Sequence, residues 1–149
     1  MDRTQFEALR DAAGKYIEGD VRLVTMPRIP LMLAAEEIVV HNPLGVSAML
    51  NVTFHPEVGG FKCNVHVRGL GPICRLEING PEHPGIGRTH KHALRTERCP
   101  RQNLHRDVIG RPDLQGISMK VAWELFCGMA FIDHRGSFSC DGVDTGAPL

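Results

Sequence analysis

The sharpest alternation of apolar and polar residues lies in "KCNVHVRGLGPICRLEING", residues 62–80, where two runs of period two flank a turn-forming segment at 69–72. A four-residue loop there sets Val67 opposite Cys74, Val65 opposite Leu76 and Cys63 opposite Ile78. His66 then faces Arg75, Asn64 faces Glu77 and Lys62 faces Asn79, so the hairpin has one apolar and one polar side. Upstream, "EEIVVHNP" and "SAMLNVTFHP" read as strands bounded by turn residues, and the two prolines of "MPRIPLM" make it an irregular crossing. At the start, "TQFE" fits a capping box, and Phe6, Leu9, Ala13 and Tyr16 form the stripe of a helix ending near Gly19. After the turn-rich "CPRQNLHRDVIGRPDLQG", a second helix is predicted in "DLQGISMKVAWELFCGM". Asp113 or Ser118 would cap it, and Ile117, Val121, Leu125 and Met129 recur every four residues to cover a sheet. The pattern predicts a single α+β domain over residues 1–149: an antiparallel sheet of about five strands packed by an N-terminal and a C-terminal helix. Its compact core spans 4–132, and 137–149 form a flexible polar tail.

A chain of 149 residues is long enough for one domain with a real core. Its 17 Lys and Arg balance 17 Asp and Glu, which excludes an overall basic field that would hold nucleic acid or an anionic membrane nonspecifically. The five cysteines include no CxxC pair, which argues against a disulfide framework and a zinc ribbon and for a reducing interior. No signal pattern opens the chain, and the apolar run "VAWELFCGMAFI" is broken by Glu124 and is too short to span a bilayer. The expectation is a cytoplasmic protein without a membrane partner. With one Trp and one Tyr, an aromatic platform for single-stranded nucleic acid is not expected either.

Candidate chemistry concentrates in "GPEHPGIGRTHKHALRTER", residues 80–98. On a strand His90 and His92 point to one face and Lys91 to the other, and His83 can fold back toward them across "PGIG". Three chemistries suit the group. Two histidines can act as general acid and base while an arginine holds a phosphate. Alternatively, His83, His90 and His92 ligate a metal with Cys99 or His105 as a fourth ligand, or the group binds an acidic or phosphate surface without chemistry. The plain alternative is a set of hydrogen-bonded turn and strand residues. His41 and His55, beside prolines at strand ends, read as structural, and His134 reads as a complement to the C-terminal dipole of the last helix. Cys63, Cys74 and Cys127 fall on apolar positions where a thiol is inert, and Cys99 is the one cysteine suited to exposure. "GIGR" and "GLG" open no helix and lead to no GK[ST], so no nucleotide loop is expected.

The segment "CRLEINGPEHPGIGRTHKHAL" resembles an uncharacterised family of small bacterial and phage proteins that carry Arg-Leu-Asp-x-x-Gly-Pro-x-His followed by His-x-His. The matching residues are Arg75, Leu76, Glu77 in place of the Asp, Gly80, Pro81, His83, His90 and His92. More distantly it is similar to the TumE-type toxins of toxin–antitoxin systems. The resemblance implies a toxin-like protein of a mobile element or defence locus that acts on RNA, a metal-independent endoribonuclease. In it His90 and His92 would share proton transfer, His83 and Glu77 would orient them, and Arg75, with His66 and Arg88, would hold the phosphate. That reading uses no metal and no cofactor, and its partner is RNA or an antitoxin. The alternatives are a non-enzymatic phage or plasmid inhibitor that binds a host defence complex, and a metal-binding protein built on the His-x-His cluster.

Overall fold

A computed structural model describes residues 3–68, 71–92 and 108–149. In chain order the elements are α1 (Arg3–Asp11), β1 (Lys15–Glu18), β2 (Val21–Thr25), β3 (Leu33–Val40), β4 (Ala48–His55), β5 (Gly60–Val67), β6 (Gly71–Ile78), β7 (His90–His92), β8 (Val108–Gly110), α2 (Met119–Met129), β9 (Ile132–Arg135) and β10 (Phe138–Cys140). The α+β class with helices near both ends matches the expectation, but the sheet is larger. Eight strands run in the order β10-β2-β3-β4-β5-β6-β7-β8, and β1 with β9 forms a separate parallel pair. The missed strands are short, and β1 and β2 find parallel partners in β9 and β10, far away in sequence, so no hairpin turn announces them.

Leu50, Val52, Phe54, Phe61, Cys63, Val65, Leu76 and Ile78 form the sheet's apolar face, and Phe6 and Leu9 of α1 with Trp123 and Phe126 of α2 complete the core. α1 ends at Asp11, not near Gly19, so Tyr16 belongs to a strand, and Thr4 lies within the helix rather than capping it. The cause of the early end is Lys15. This buried ammonium donates to the carbonyls of Leu9, Arg10 and Ala12 at 2.7–2.9 Å, taking over the orphan acceptors of the last turn. α2 is capped by Ser118, whose Oγ accepts from Val121 N–H. Its buried stripe is Met119, Ala122, Trp123, Phe126 and Cys127, while Val121 and Leu125 of the expected stripe are 42% and 40% exposed. The every-four series lost to a stripe at i, i+3, i+4, i+7 and i+8 that buries two large aromatic rings.

The β5–β6 hairpin keeps its two faces but not its expected register. Cys63 pairs with Leu76 and Val65 with Cys74, two residues away from the expected partners, because Gly71 and Pro72 join the strand. A bulge leaves Ile73 as the extra residue, so Val67 pairs with Gly71. Residues 137–149, expected to be a frayed tail, supply β10. Their end is tied down where the Lys120 N–H donates to Thr145 O and the Leu149 N–H to Ile117 O. No helix among the described residues is long and apolar enough to cross a membrane.

Candidate three-histidine site

Residues in register share a face of the sheet, so the pairing alone assembles the polar side. Thr53, Lys62, Glu77 and His90 form one row across β4, β5, β6 and β7. Asn51, Asn64, Arg75 and His92 form the next.

The chain leaving β6 turns back over these rows. Asn79 takes a left-handed conformation, φ 51°, and its N–H donates to Thr89 Oγ1 at 3.2 Å. The Gly80 N–H donates to the Arg88 carbonyl at 2.9 Å, and Arg88 returns Nε to the Gly80 carbonyl at 2.9 Å and Nη2 to the Asn79 carbonyl at 3.2 Å. A Cβ on residue 80 would stand 2.8 Å from Glu77 Oε2, so only glycine lets the loop pass this close to the carboxylate. At the tip the Ile86 N–H donates to the His83 carbonyl at 2.9 Å across Pro84 and Gly85, with Gly85 at φ 75°, the pattern of a type II turn.

That turn brings His83 onto the pair. Its ring centroid lies 4.4 Å from that of His90 and 5.6 Å from that of His92, and His90 and His92 are 4.9 Å apart. Each of the three offers a ligand nitrogen, and these atoms all lie within 4.8 Å of one another. His90 is 0% and His92 1% exposed, and His83 is half-buried.

Glu77, buried at 4% exposure, sits behind the triad with Oε1 2.8 Å from Arg75 Nε and Oε2 3.3 Å from His90 Nε2. A buried carboxylate needs such partners, because desolvating an unpaired charge costs several kcal/mol. Neither ring nitrogen of His90 has a well-aligned hydrogen bond among the described residues. Burial pushes the His90 pKa below its ordinary 6.5. Glu77 pulls it up, His83 pushes it down, and the Gly87 backbone and Arg75 act more weakly in opposite senses. At neutral pH the ring is therefore uncharged and keeps a lone pair. Arg75 Nη2 stands 3.2 Å from His92 Nε2; a guanidinium only donates, so this nitrogen accepts.

The structure thus gathers His83, His90, His92, Glu77 and Arg75. Arg88 is tied into the loop as its brace. His66 lies on the same face but opposite Pro72 and Met49, past the bulge, so Arg75 faces Asn64 instead of His66. Cys99 and His105, the expected fourth ligands, lie outside the described residues. The sequence reading missed that Lys62 is the direct neighbour of Glu77 and Asn64 that of Arg75. The signal was Pro72, whose preceding glycine could extend the strand instead of the loop.

Beside the triad an open cleft of about 620 Å³ is walled by Thr53, His55, Lys62, Arg75, Glu77, His83 and Arg88 among others. Another, of about 570 Å³, lies between α2 and β9–β10, where Trp123 Nε1–H donates to His134 Nδ1 at 3.1 Å and His134 Nε2 is 3.0 Å from the Gly19 carbonyl. His134 is a bridge between elements, not the helix-dipole complement expected for it. Among the described residues the thiols offer no nucleophile: Cys63, Cys74, Cys127 and Cys140 are buried, with burial pushing Cys127 up to about 12 and Cys140 to about 11.

The chain matches no protein-family model, no curated protein and no solved structure.

Proposed function

We propose that His83, His90 and His92 form a mononuclear centre for a divalent first-row transition metal, zinc foremost. One observation carries the reading: three imidazoles from a turn and a strand offer ligand atoms within 4.8 Å of one another, two of the rings fully buried. Neutral imidazole suits zinc, iron, copper and nickel, and the described residues supply three such ligands. His90 fits a ligating histidine whose ring is backed by a carboxylate. Glu77 Oε2 stands 3.3 Å from its Nε2, the place of a carboxylate that orients a ligating ring.

A second reading keeps an observation in its favour. In a metal-free RNA-directed site Arg75 would hold the phosphate and His90 and His92 would move protons, and the guanidinium next to His92 and the open cleft agrees with that. The burial of both rings favours the metal, because an acid–base pair must reach its substrate.

The test is metal analysis and cobalt(II) titration of protein purified without chelator or affinity tag. The metal reading expects one ion per chain, with the intense visible absorption of a four-coordinate cobalt site. His83→Ala, at the half-buried and most replaceable position, should abolish that spectrum while circular dichroism stays native. Folded wild type that takes up no stoichiometric zinc, iron, manganese or cobalt would overturn it, and metal-independent RNA cleavage would install the second reading.

A further inference from the structure

We infer that the cleft beside the triad is the binding site of a phosphate ester held jointly by the metal and by Lys62 and Arg75. This inference rests on the metal reading above. Its first support is continuity: His83 belongs to the triad and also walls the cleft, so a group in the cleft sits next to the ion.

The second support is charge. Lys62, Arg75 and Arg88 face the cleft against Glu77 and Glu82, and Glu77 is already engaged by Arg75 and His90. Lys62 makes no hydrogen bond or ion pair among the described residues although it stands directly opposite Glu77. With a divalent ion added, the mouth is strongly cationic. A compact ammonium beside a guanidinium fork and a metal is the donor set that recognises phosphoryl oxygens.

Unfilled polar capacity on the same face is the third support. His55 Nδ1, buried in the cleft wall, makes no hydrogen bond among the described residues. Buried polar atoms rarely stay orphaned, and His55 lines the cleft where the ester's alcohol or sugar portion would extend.

Arg75 links the two events. Were the ion held at His92 Nε2, Arg75 Nη2, which stands 3.2 Å from that nitrogen, would be freed toward the cleft that Arg75 already lines. Phosphate binding is then metal-dependent, although the metal and the arginine share a neighbour.

Desalted zinc-loaded protein, titrated calorimetrically with inorganic phosphate and separately with dimethyl phosphate, tests the inference. The expected result is phosphate binding to the loaded protein alone. Lys62→Met, with its zinc content unchanged, should weaken that binding at least about tenfold. Tighter binding of the diester than of inorganic phosphate would assign the site to nucleic-acid-like backbones, and the reverse order to monoesters. Loaded wild type that binds neither probe, or binds equally well as Lys62→Met, overturns the subsite and leaves the metal centre standing. Failure to take up zinc, iron, manganese or cobalt overturns the metal centre and, with it, joint binding.

Discussion

Two histidine-bearing regions of this molecule solve the same problem in opposite ways. At the junction of α2, β9 and the β1–β2 turn, His134 uses both ring nitrogens, accepting from Trp123 and contacting the Gly19 carbonyl. On the β6–β7 face, His90 is more deeply buried, yet among the described residues neither of its nitrogens has an aligned hydrogen bond, and two further imidazoles crowd the same few ångströms. Burial of a polar ring costs free energy unless its capacity is filled. A filled ring is a fastener. An unfilled one, set beside a carboxylate that an arginine holds, is under our proposal a lone pair kept in reserve for a metal.

The contrast can be broken from either side. The largest effect is expected on the fastened side, where a Cβ on residue 136 would overlap the Gly19 carbonyl, backbone against backbone. Gly136→Ala should cost about 3 kcal/mol, the upper end for overpacking, in urea unfolding, and the protein that remains folded should still take up one zinc. On the reserve side, Glu77→Gln removes the charge at His90 while keeping its shape. It should weaken zinc affinity roughly 10–100-fold in a competition titration, as loss of a carboxylate behind a ligating histidine does. The smallest effect should come from His134→Phe, which deletes two hydrogen bonds at a half-buried position. About 1–2 kcal/mol of stability should go, with zinc affinity unchanged. If His134→Phe altered metal uptake, or Glu77→Gln left it untouched, the division between fastener and reserve would fail.

The polar and apolar faces of the hairpin were legible in the sequence because period two survives any register shift of two. That is why Cys63, Val65, Leu76 and Ile78 are buried as expected although each pairs with a different partner. The placement of His90 and His92 side by side was legible for the same reason. Their depth was not, since it depends on the 79–89 loop folding over them, and Asn79 at φ 51° and the close pass at Gly80 are fixed only by contact with Glu77 and Thr89. The face of α2 was misjudged because four residues at constant spacing look like a stripe until Trp123 and Phe126 claim the core. Nothing local marks "KYIE" as a strand whose partner is "IDHR", and pairings of that kind lie beyond a period-based reading.

The parallel pairing of β1 with β9 and of β2 with β10 also sets a timetable. Glu18 and Arg135, joined by an ion pair at 2.9 Å, are 117 residues apart, so β1 waits for β9, and β2, with β3 already on one edge, waits for β10 on the other. Closing such long loops precedes the contacts that reward it, which makes folding slow and keeps strand edges open to neighbouring chains in the meantime. In a translating cell, β3 to β6 can assemble as they emerge, and the ends of the chain are joined only afterwards.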